Sequence, residues 1–237
     1  MGLYIEALIR TDPERLWDRT QDPAQHQRWD LRFTEISPLP GPAGSAQRFR
    51  YATRVLPFLT VAGTGTSAGE RERADGERER ADGERVSALR FASPERLSLL
   101  AEGIGYWRYV PTADGIRFLT GYDYRTRWGR FGAVADRLVF RPLMGWATAW
   151  SFDRLRLWCE RGIRPARSLA HALAEVLVRL LLVAAALTFG PVAVLPAALA
   201  ALLVPPSPLT PAARRCLRRP PGRPAVAPSL LARLERP

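Results

Sequence analysis

Several residue types that support chemistry are scarce in this sequence. Lysine is absent, so all 35 basic side chains are arginine, and cysteine and histidine occur twice each. Cys159 and Cys216 show no spacing typical of metal ligands and do not indicate a disulfide framework. With only His26 and His171, Ser–His–Asp or Cys–His catalysis and histidine-based metal sites have few residues available. We therefore predict no catalytic residue, no metal and no cofactor, with His26 at the surface and His171 at an interface.

Two other classes of feature are also missing. Residues 1–6 lack the charged start and long apolar core of a signal peptide, so we expect the folded part to stay in the cytoplasm. Gly63-Thr64-Gly65 followed by Gly69 does not have the spacing of a dinucleotide-binding loop.

Positive charge is concentrated late in the chain. The formal net charge is +12, and residues 154–179 contribute +4 (six Arg, two Glu) while residues 205–237 contribute +6 (seven Arg, one Glu). This excess favours an anionic partner, either lipid headgroups or nucleic acid. The last segment has no aromatic side chain to stack on bases, and its arginines flank an apolar stretch. We therefore predict a membrane with anionic lipids as the partner and no nucleic acid; nothing predicts the oligomeric state.

Alternating apolar and polar residues predict an antiparallel sheet. The clearest case is 116–128, where Ile116, Phe118 and Tyr122 share one face and arginines occupy the other. Residues 48–55 alternate in the same way. Further strands are predicted at 3–9, 58–66, 86–92 and 97–110.

Helical patterns begin and end this strand-rich region. Thr11 and Asp22 each precede a proline and predict the starts of two short helices, the first capped by Thr11. After Gly129, apolar residues recur at helical spacing and predict one long helix, kinked at Pro142 and ending near Gly162.

The order of these elements resembles the SRPBCC superfamily, which includes START-like lipid-binding domains and polyketide cyclase/dehydrase-like proteins. The resemblance rests on the opening strand, Pro13–Trp17, Asp22-Pro23 and Arg28-Trp29-Asp30. A closer likeness, through residues 105–109 and 140–158, is to uncharacterised actinobacterial members. The resemblance covers residues 1–162 and implies an α+β helix-grip fold, in which a curved antiparallel sheet surrounds a long C-terminal helix with an apolar cavity between them.

The implied cavity would hold a lipid-like or polyketide-like apolar molecule. Its predicted ligand-binding residues are the inward aromatic side chains: Phe49, Tyr51, Phe118, Tyr122, Tyr124, Trp146 and Trp150. Plain core packing of these aromatics is the alternative to a cavity. A cyclase or dehydratase acting in the same cavity is the rival function, with Asp123 and Asp153 as candidate groups.

A perfect repeat interrupts the strands. Residues 69–75 read GERERAD, residues 76–82 repeat them, and a third copy begins at Gly83. The repeat offers nothing apolar to bury, so we predict a disordered hairpin loop over 69–85.

The end of the chain predicts a membrane segment. Leu180–Val204 holds 25 residues without a charge, within a predicted helical segment at 163–205. Gly190-Pro191 interrupts it near the middle, which leaves two hypotheses: a single span, or a shallow hairpin that returns both basic flanks to the cytoplasmic face. Residues 206–237, rich in proline and arginine, are predicted to be disordered.

Overall fold

The computed structural model describes residues 2–41, 46–56, 59–70 and 83–220. Seven strands form one antiparallel sheet in the order β1-β7-β6-β5-β4-β3-β2. The strands are β1 (Leu3–Ile9), β2 (Glu35–Pro38), β3 (Gln47–Leu56), β4 (Leu59–Glu70), β5 (Arg85–Ala92), β6 (Leu100–Thr112) and β7 (Gly115–Thr126). All the predicted strands are present, and the short edge strand β2 was not predicted.

The helices follow the predicted order. They are α1 (Pro13–Gln21), α2 (Pro23–Trp29), α3 (Gly129–Ala135), α4 (Arg141–Arg161), α5 (Pro165–Leu187) and α6 (Pro191–Leu203). Helix α4 packs against β1, and its Phe152 lies 4.5 Å from the ring of Phe118 on β7. The sheet thus surrounds a long helix, which confirms the α+β helix-grip fold.

Local sequence explains where the first two helices begin. The Asp12 carboxylate accepts a hydrogen bond from the Arg15 backbone N–H at 3.0 Å, so Asp12 caps α1 and the prediction of Thr11 is wrong by one residue. Asp22 caps α2 in the same way, accepting from Ala24 N–H at 2.8 Å.

The predicted long helix is helical from Gly129 to Arg161, but it contains a π-helical segment. Trp128 and Gly129 have positive φ angles of 65° and 53°, and α3 then leads into a π-helical segment, Asp136–Phe140. Pro142 follows this segment directly, as the second residue of α4, where proline is tolerated. Helix α4 ends at Gly162 in the left-handed conformation, as predicted.

Helices α5 and α6 form an antiparallel pair, which we call the apolar hairpin. The chain turns at Gly190, whose φ of +94° suits glycine. Arg179 on α5 donates hydrogen bonds to Glu175 and to the Ala201 carbonyl on α6. These contacts lie at matching distances from the turn and hold the two helices together.

Part of the predicted disordered tail is ordered. Residues 206–217, which we call the strap, return to the domain, where Leu217 and Glu6 exchange two backbone hydrogen bonds of 2.9 Å. Ala213 and Cys216 join the main hydrophobic core. The predicted domain boundary at 162 therefore omits a piece of the core, because periodicity does not show where a short irregular segment packs.

The repeat lies outside the described residues over 71–82. At its edges, Gly69 and Glu70 pair with Ser87 and Val86 as parts of β4 and β5. These edges of the predicted loop are therefore strand.

Candidate functional site

A cavity of about 310 Å³ lies between the sheet, helices α1 and α2, and the start of α4. Most of its wall is aromatic or aliphatic. These side chains are Phe33, Ile36, Phe49, Tyr51, Val61, Leu89, Phe91, Leu97, Leu99, Leu100, Trp107, Tyr122, Phe140 and Met144. The site has the apolar, concave character typical of small-molecule cavities.

Three of the predicted binding residues line this cavity: Phe49, Tyr51 and Tyr122. They are linked through Phe91, whose ring stacks on Tyr122 with centroids 5.3 Å apart and contacts Tyr51 edge-on at 6.3 Å. Strand alternation found these residues because every second side chain of β3 and β7 points to the same face.

Two other predicted residues on β7 lie elsewhere. Phe118 is fully buried in the core against Phe152, where the end of the sheet meets α4 directly. Tyr124 donates a hydrogen bond to Asp136 and so joins β7 to the π-helical segment. Alternation gives the face of a strand but not the point along it where the cavity ends.

Trp146 and Trp150 are also outside the cavity. Phe140 and Met144 face it, and residues two positions further along a helix point to nearly the opposite side. Trp150 is buried in the core beside the strap, and Trp146 is 45% exposed. Both border a shallow cleft formed with the apolar hairpin and the strap.

A charged network that sequence reasoning missed lies at the cavity wall. Asp30 is completely buried and accepts hydrogen bonds from Arg32 Nε at 2.9 Å and Nη2 at 2.6 Å. His26 Nε2 lies 3.1 Å from Asp30 Oδ2, the carboxylate oxygen that also accepts from Arg32 Nη2. The prediction that His26 is a surface residue is wrong, because its ring stacks on Trp29 and lines the cavity.

The network is electrostatically balanced. Burial alone would raise the pKa of Asp30, but the positive charge of Arg32 and hydrogen bonds from His26 and Arg32 hold this pKa well below its ordinary value. Burial would likewise lower the pKa of Arg32, and the Asp30 charge raises it instead. Asp30 and Arg32 thus form a buried ion pair whose charges neutralise each other.

Three polar groups at the cavity have no hydrogen-bond partner among the described residues: the hydroxyls of Tyr51 and Tyr122, and Nη1 of Arg32. Burial raises the pKa of Tyr51 to about 12, and also raises that of Tyr122. Both phenols therefore stay protonated at neutral pH. Each is positioned to donate a hydrogen bond to a guest molecule.

The polar groups at the other end of the cavity satisfy one another. Thr20 Oγ1 and Tyr109 Oη are 2.7 Å apart, and Gln21 donates to Tyr109 at 2.9 Å and accepts from Ser87 at 3.1 Å. The unpartnered groups are thus concentrated near Arg32.

The two candidate carboxylates of the rival enzyme are not at the cavity. Asp123 is exposed. Asp153 is buried under the strap, where it accepts hydrogen bonds from Arg156, Arg215 and the Ala212 backbone. In the part of the chain that the structure covers, no three His, Cys, Asp or Glu side chains gather as metal ligands do.

The apolar hairpin exposes many large apolar side chains. Helix α5 is, by length and composition, able to cross a membrane, and almost all of its apolar stretch is uncovered. Helix α6 has 13 residues and is too short to span a bilayer alone. Both ends of the hairpin are attached to the domain: Arg154 donates to the Pro165 carbonyl at 2.8 Å, and the strap follows α6.

No family model matches this chain. Its sequence is 43% identical over 175 residues to the uncharacterized membrane protein YndG of Bacillus subtilis (strain 168). The match covers 73% of this chain, which spans 63% of the length of that relative.

Solved structures with a similar arrangement have low sequence identity. The Zhui aromatase/cyclase from Streptomyces sp. R1128 gives a TM-score of 0.49 at 14% identity, covering 70% of this chain and 97% of that one. The lipid transfer and protein localization domain of human StarD13 gives a TM-score of 0.48 at 13% identity, and the match covers 67% of this chain and 77% of that one. The sequence is thus similar to that of a bacterial membrane protein, and the structure has the helix-grip fold.

Proposed function

We propose that this protein binds an apolar, lipid-like or polyketide-like small molecule in its cavity while the apolar hairpin attaches it to a membrane. The observation that carries the proposal is the cavity of about 310 Å³ with a mostly apolar wall. A wall that served only core packing would be closed by its own side chains. The unpartnered hydroxyls of Tyr51 and Tyr122 also favour a guest.

Membrane attachment rests on the surface of the hairpin. Leu181, Phe189 and Val192 are 58, 82 and 86% exposed, which is unfavourable in water. Arginines flank the hairpin at both ends, so anionic headgroups would complement its base. By the positive-inside tendency, we place both flanks at the cytoplasmic face.

The strap favours the hairpin over a single span. Leu217 is bonded to Glu6 of the domain, so the chain that leaves at residue 162 comes back to the same body. The domain and the strap therefore lie on one side of the membrane, and the hairpin dips in from that side.

The ligand hypothesis is tested by photolabelling the full-length protein in bilayers with a fatty acid that carries a mid-chain diazirine. Val61 lines the cavity, whereas its neighbour Thr60 is exposed. We expect Val61→Trp to remove labels from β5, β6 and β7 but keep those on the hairpin, because the indole fills the cavity. Thr60→Trp is the matched control and should label like the wild type. Strand labels that survive Val61→Trp would refute cavity binding.

The topology is tested with single cysteines, after replacement of Cys159 and Cys216. Thr60→Cys reports the side of the domain, and Ser229→Cys reports the side of the chain end. The two cysteines are compared for their reaction with a membrane-impermeant thiol reagent in intact cells and again after lysis. If both react to the same extent under each condition, they lie on the same side of the membrane, which supports the hairpin. Opposite accessibility would establish a single span.

A second candidate function is supported by His26. Its Nε2 is held by Asp30, and its Nδ1 forms no hydrogen bond with the described residues. Orientation by a carboxylate is how a histidine general base is often arranged. In this cyclase/dehydratase alternative, Nδ1 takes a proton from a carbon next to a substrate carbonyl. The C–H electron pair moves to form an enolate, which Arg32 stabilises.

Hydrogen–deuterium exchange decides between the two functions. The substrate is a long-chain 1,3-diketone bound to the protein in D₂O. If His26 acts as a general base, the central C–H of the diketone should exchange for deuterium faster when bound to the wild type than when bound to His26→Gln. Equal rates, with binding retained, would leave the protein a binder without this chemistry.

A further inference from the structure

The cavity has a mouth next to α3. Leu97 and Leu99, in the connection between β5 and β6, form one lip, and Phe140 and Met144 form the other. Leu97 lines the cavity although 68% of its surface is exposed, so it stands at the opening.

The exposed residues beside this mouth are unusually apolar. On α3 and the following π-helical segment, Phe131, Leu138 and Val139 are 72, 69 and 64% exposed, and Trp128 is 46% exposed. Together with Leu97 they form what we call the portal surface. An apolar group of this size on a folded domain indicates an interaction site.

The exposed charges around the portal surface are positive. Arg96, Arg130 and Arg137 are exposed and form no ion pair within the described residues. Of the nearby acidic side chains, Asp136 is buried and bonded to Tyr124 and Arg141, and Glu95 accepts a hydrogen bond from the Ala62 backbone N–H at 3.0 Å. Apolar side chains ringed by arginine match the interface of an anionic bilayer, where the rings enter the acyl region and the guanidinium groups meet phosphates.

The apolar hairpin extends towards the same end of the molecule. Its first helix begins beside Arg154, and its middle, at Arg179 and Leu202, borders the same cleft as Trp146. Helix α5 therefore runs back along α4 towards the N-terminal end of α4, which is the end that connects to α3. This is also the end of α4 at which Phe140 and Met144 border the mouth.

We propose that the portal surface docks on the anionic bilayer that holds the hairpin, so that the cavity exchanges its ligand directly with lipid. This inference rests on the proposed function for the ligand, but the docking itself is measured separately. The partner is the bilayer; a second copy of the chain is the competing occupant that the experiment identifies.

The docking test places a fluorophore beside the portal surface. Val134 is 56% exposed on α3, and Val134→Cys is labelled with an environment-sensitive dye after the native cysteines are replaced. The full-length protein is reconstituted in vesicles of phosphatidylcholine and phosphatidylglycerol. We expect quenching by brominated lipids, and loss of quenching with Phe131→Ser/Leu138→Ser. A dye whose emission still reports an aqueous environment would overturn the proposal. A dye that is shielded from water but not quenched by brominated lipids, in a dimer that can be cross-linked, would also overturn it.

The exchange test measures how quickly the diazirine fatty acid, added in donor vesicles, labels the cavity. Phe131→Ser/Leu138→Ser should slow loading about tenfold, because two large apolar contacts with lipid are lost. The final labelling should be unchanged. Leu8→Ser/Leu217→Ser, two exposed leucines on β1 and the strap, is the matched control and should load normally.

The outcomes separate the two proposals. If Phe131→Ser/Leu138→Ser loads the fatty acid at the normal rate, and the dye at Val134→Cys reports an aqueous environment, then docking of the portal surface is refuted. Ligand binding in the cavity is not affected by that result. Absence of cavity labelling in every variant refutes ligand binding, while the bromine quenching still shows whether the surface docks.

Discussion

At the scale of single residues, the Asp30–Arg32 pair supports the cavity wall. Its carboxylate is completely buried, so removing its charge leaves the arginine without a counterion. We expect Asp30→Asn to lower the free energy of unfolding at pH 7 by about 3 to 5 kcal/mol. Urea unfolding followed by tryptophan fluorescence measures this, and an effect below about 1 kcal/mol would contradict a buried pair.

The same pair predicts a pH dependence. The folded-state pKa of Asp30 is depressed below the ordinary value of 3.8, so its stabilising contribution is fully present above that value. The contribution is lost as the pH falls through the folded-state pKa. The stability gap between wild type and Asp30→Asn should therefore be constant between pH 5 and 7 and should narrow below about pH 4. A gap that widens in acid would show that the pKa is raised.

The unpartnered phenols predict a preference for ligands with an acceptor oxygen. We expect Tyr122→Phe to weaken labelling by a mid-chain diazirine fatty alcohol about two- to tenfold, the value of one neutral hydrogen bond. The matching alkane should be unaffected. Tyr4→Phe is the control, since the Tyr4 hydroxyl donates to Glu6 outside the cavity. Equal losses for alcohol and alkane would indicate a packing effect and not a hydrogen bond.

Strand alternation led to three residues that line the cavity, although it also led to Phe118 and Tyr124, which do not. Phe49, Tyr51 and Tyr122 follow an alternation that fixes their face. Arg32 follows the end of α2, where no period applies, and its role depends on a carboxylate only two residues away. His26 looked like a surface histidine because a seven-residue helix gives too little periodicity to identify its buried side.

At the scale of elements, the strap is the feature that the composition concealed. Prolines and arginines predicted disorder, yet Asp153 binds Arg215 at 2.8 Å and Ala213 enters the core. A single buried carboxylate can thus order a segment whose composition resembles a linker.

The strap gives a truncation prediction. Ending the chain after Pro205 removes two hydrogen-bond donors from Asp153 and uncovers Ala149 and Trp150. We expect a loss of about 3 kcal/mol and a fall in Tm of roughly 10 °C. Ending it after Arg219 keeps the strap and should leave the Tm unchanged. Equal melting of the two truncations, measured by differential scanning fluorimetry, would show that the strap does not stabilise the fold.

The repeat remains a prediction of a different kind, because residues 71–82 lie outside the described part of the chain. Deleting one copy, residues 76–82, should change stability by less than about 1 kcal/mol, since loop-closure entropy varies slowly with length. The paired edges of β4 and β5 should persist. A collapse of the melting temperature would show that the repeat packs against the domain.

At the scale of the whole molecule, the fold was predictable and the arrangement around it was not. Alternation, two short helices and a final helix gave an order of elements whose resemblance to the SRPBCC superfamily implied the helix-grip fold. The order of elements along the chain does not say that α5 runs back along α4 or that the strap closes on β1. Those contacts fold the hairpin back along α4, and the proposed docking of the portal surface on a bilayer depends on that arrangement.

The measurement that tests the central claim most directly is native mass spectrometry of the full-length protein released from bilayers, with extraction of any retained molecule. Wild type and Thr60→Trp should each retain one apolar small molecule per chain, and Val61→Trp should retain none, because its indole occupies the cavity. An empty wild-type protein, or equal retention by all three proteins, would contradict the assignment of this cavity as a ligand-binding site.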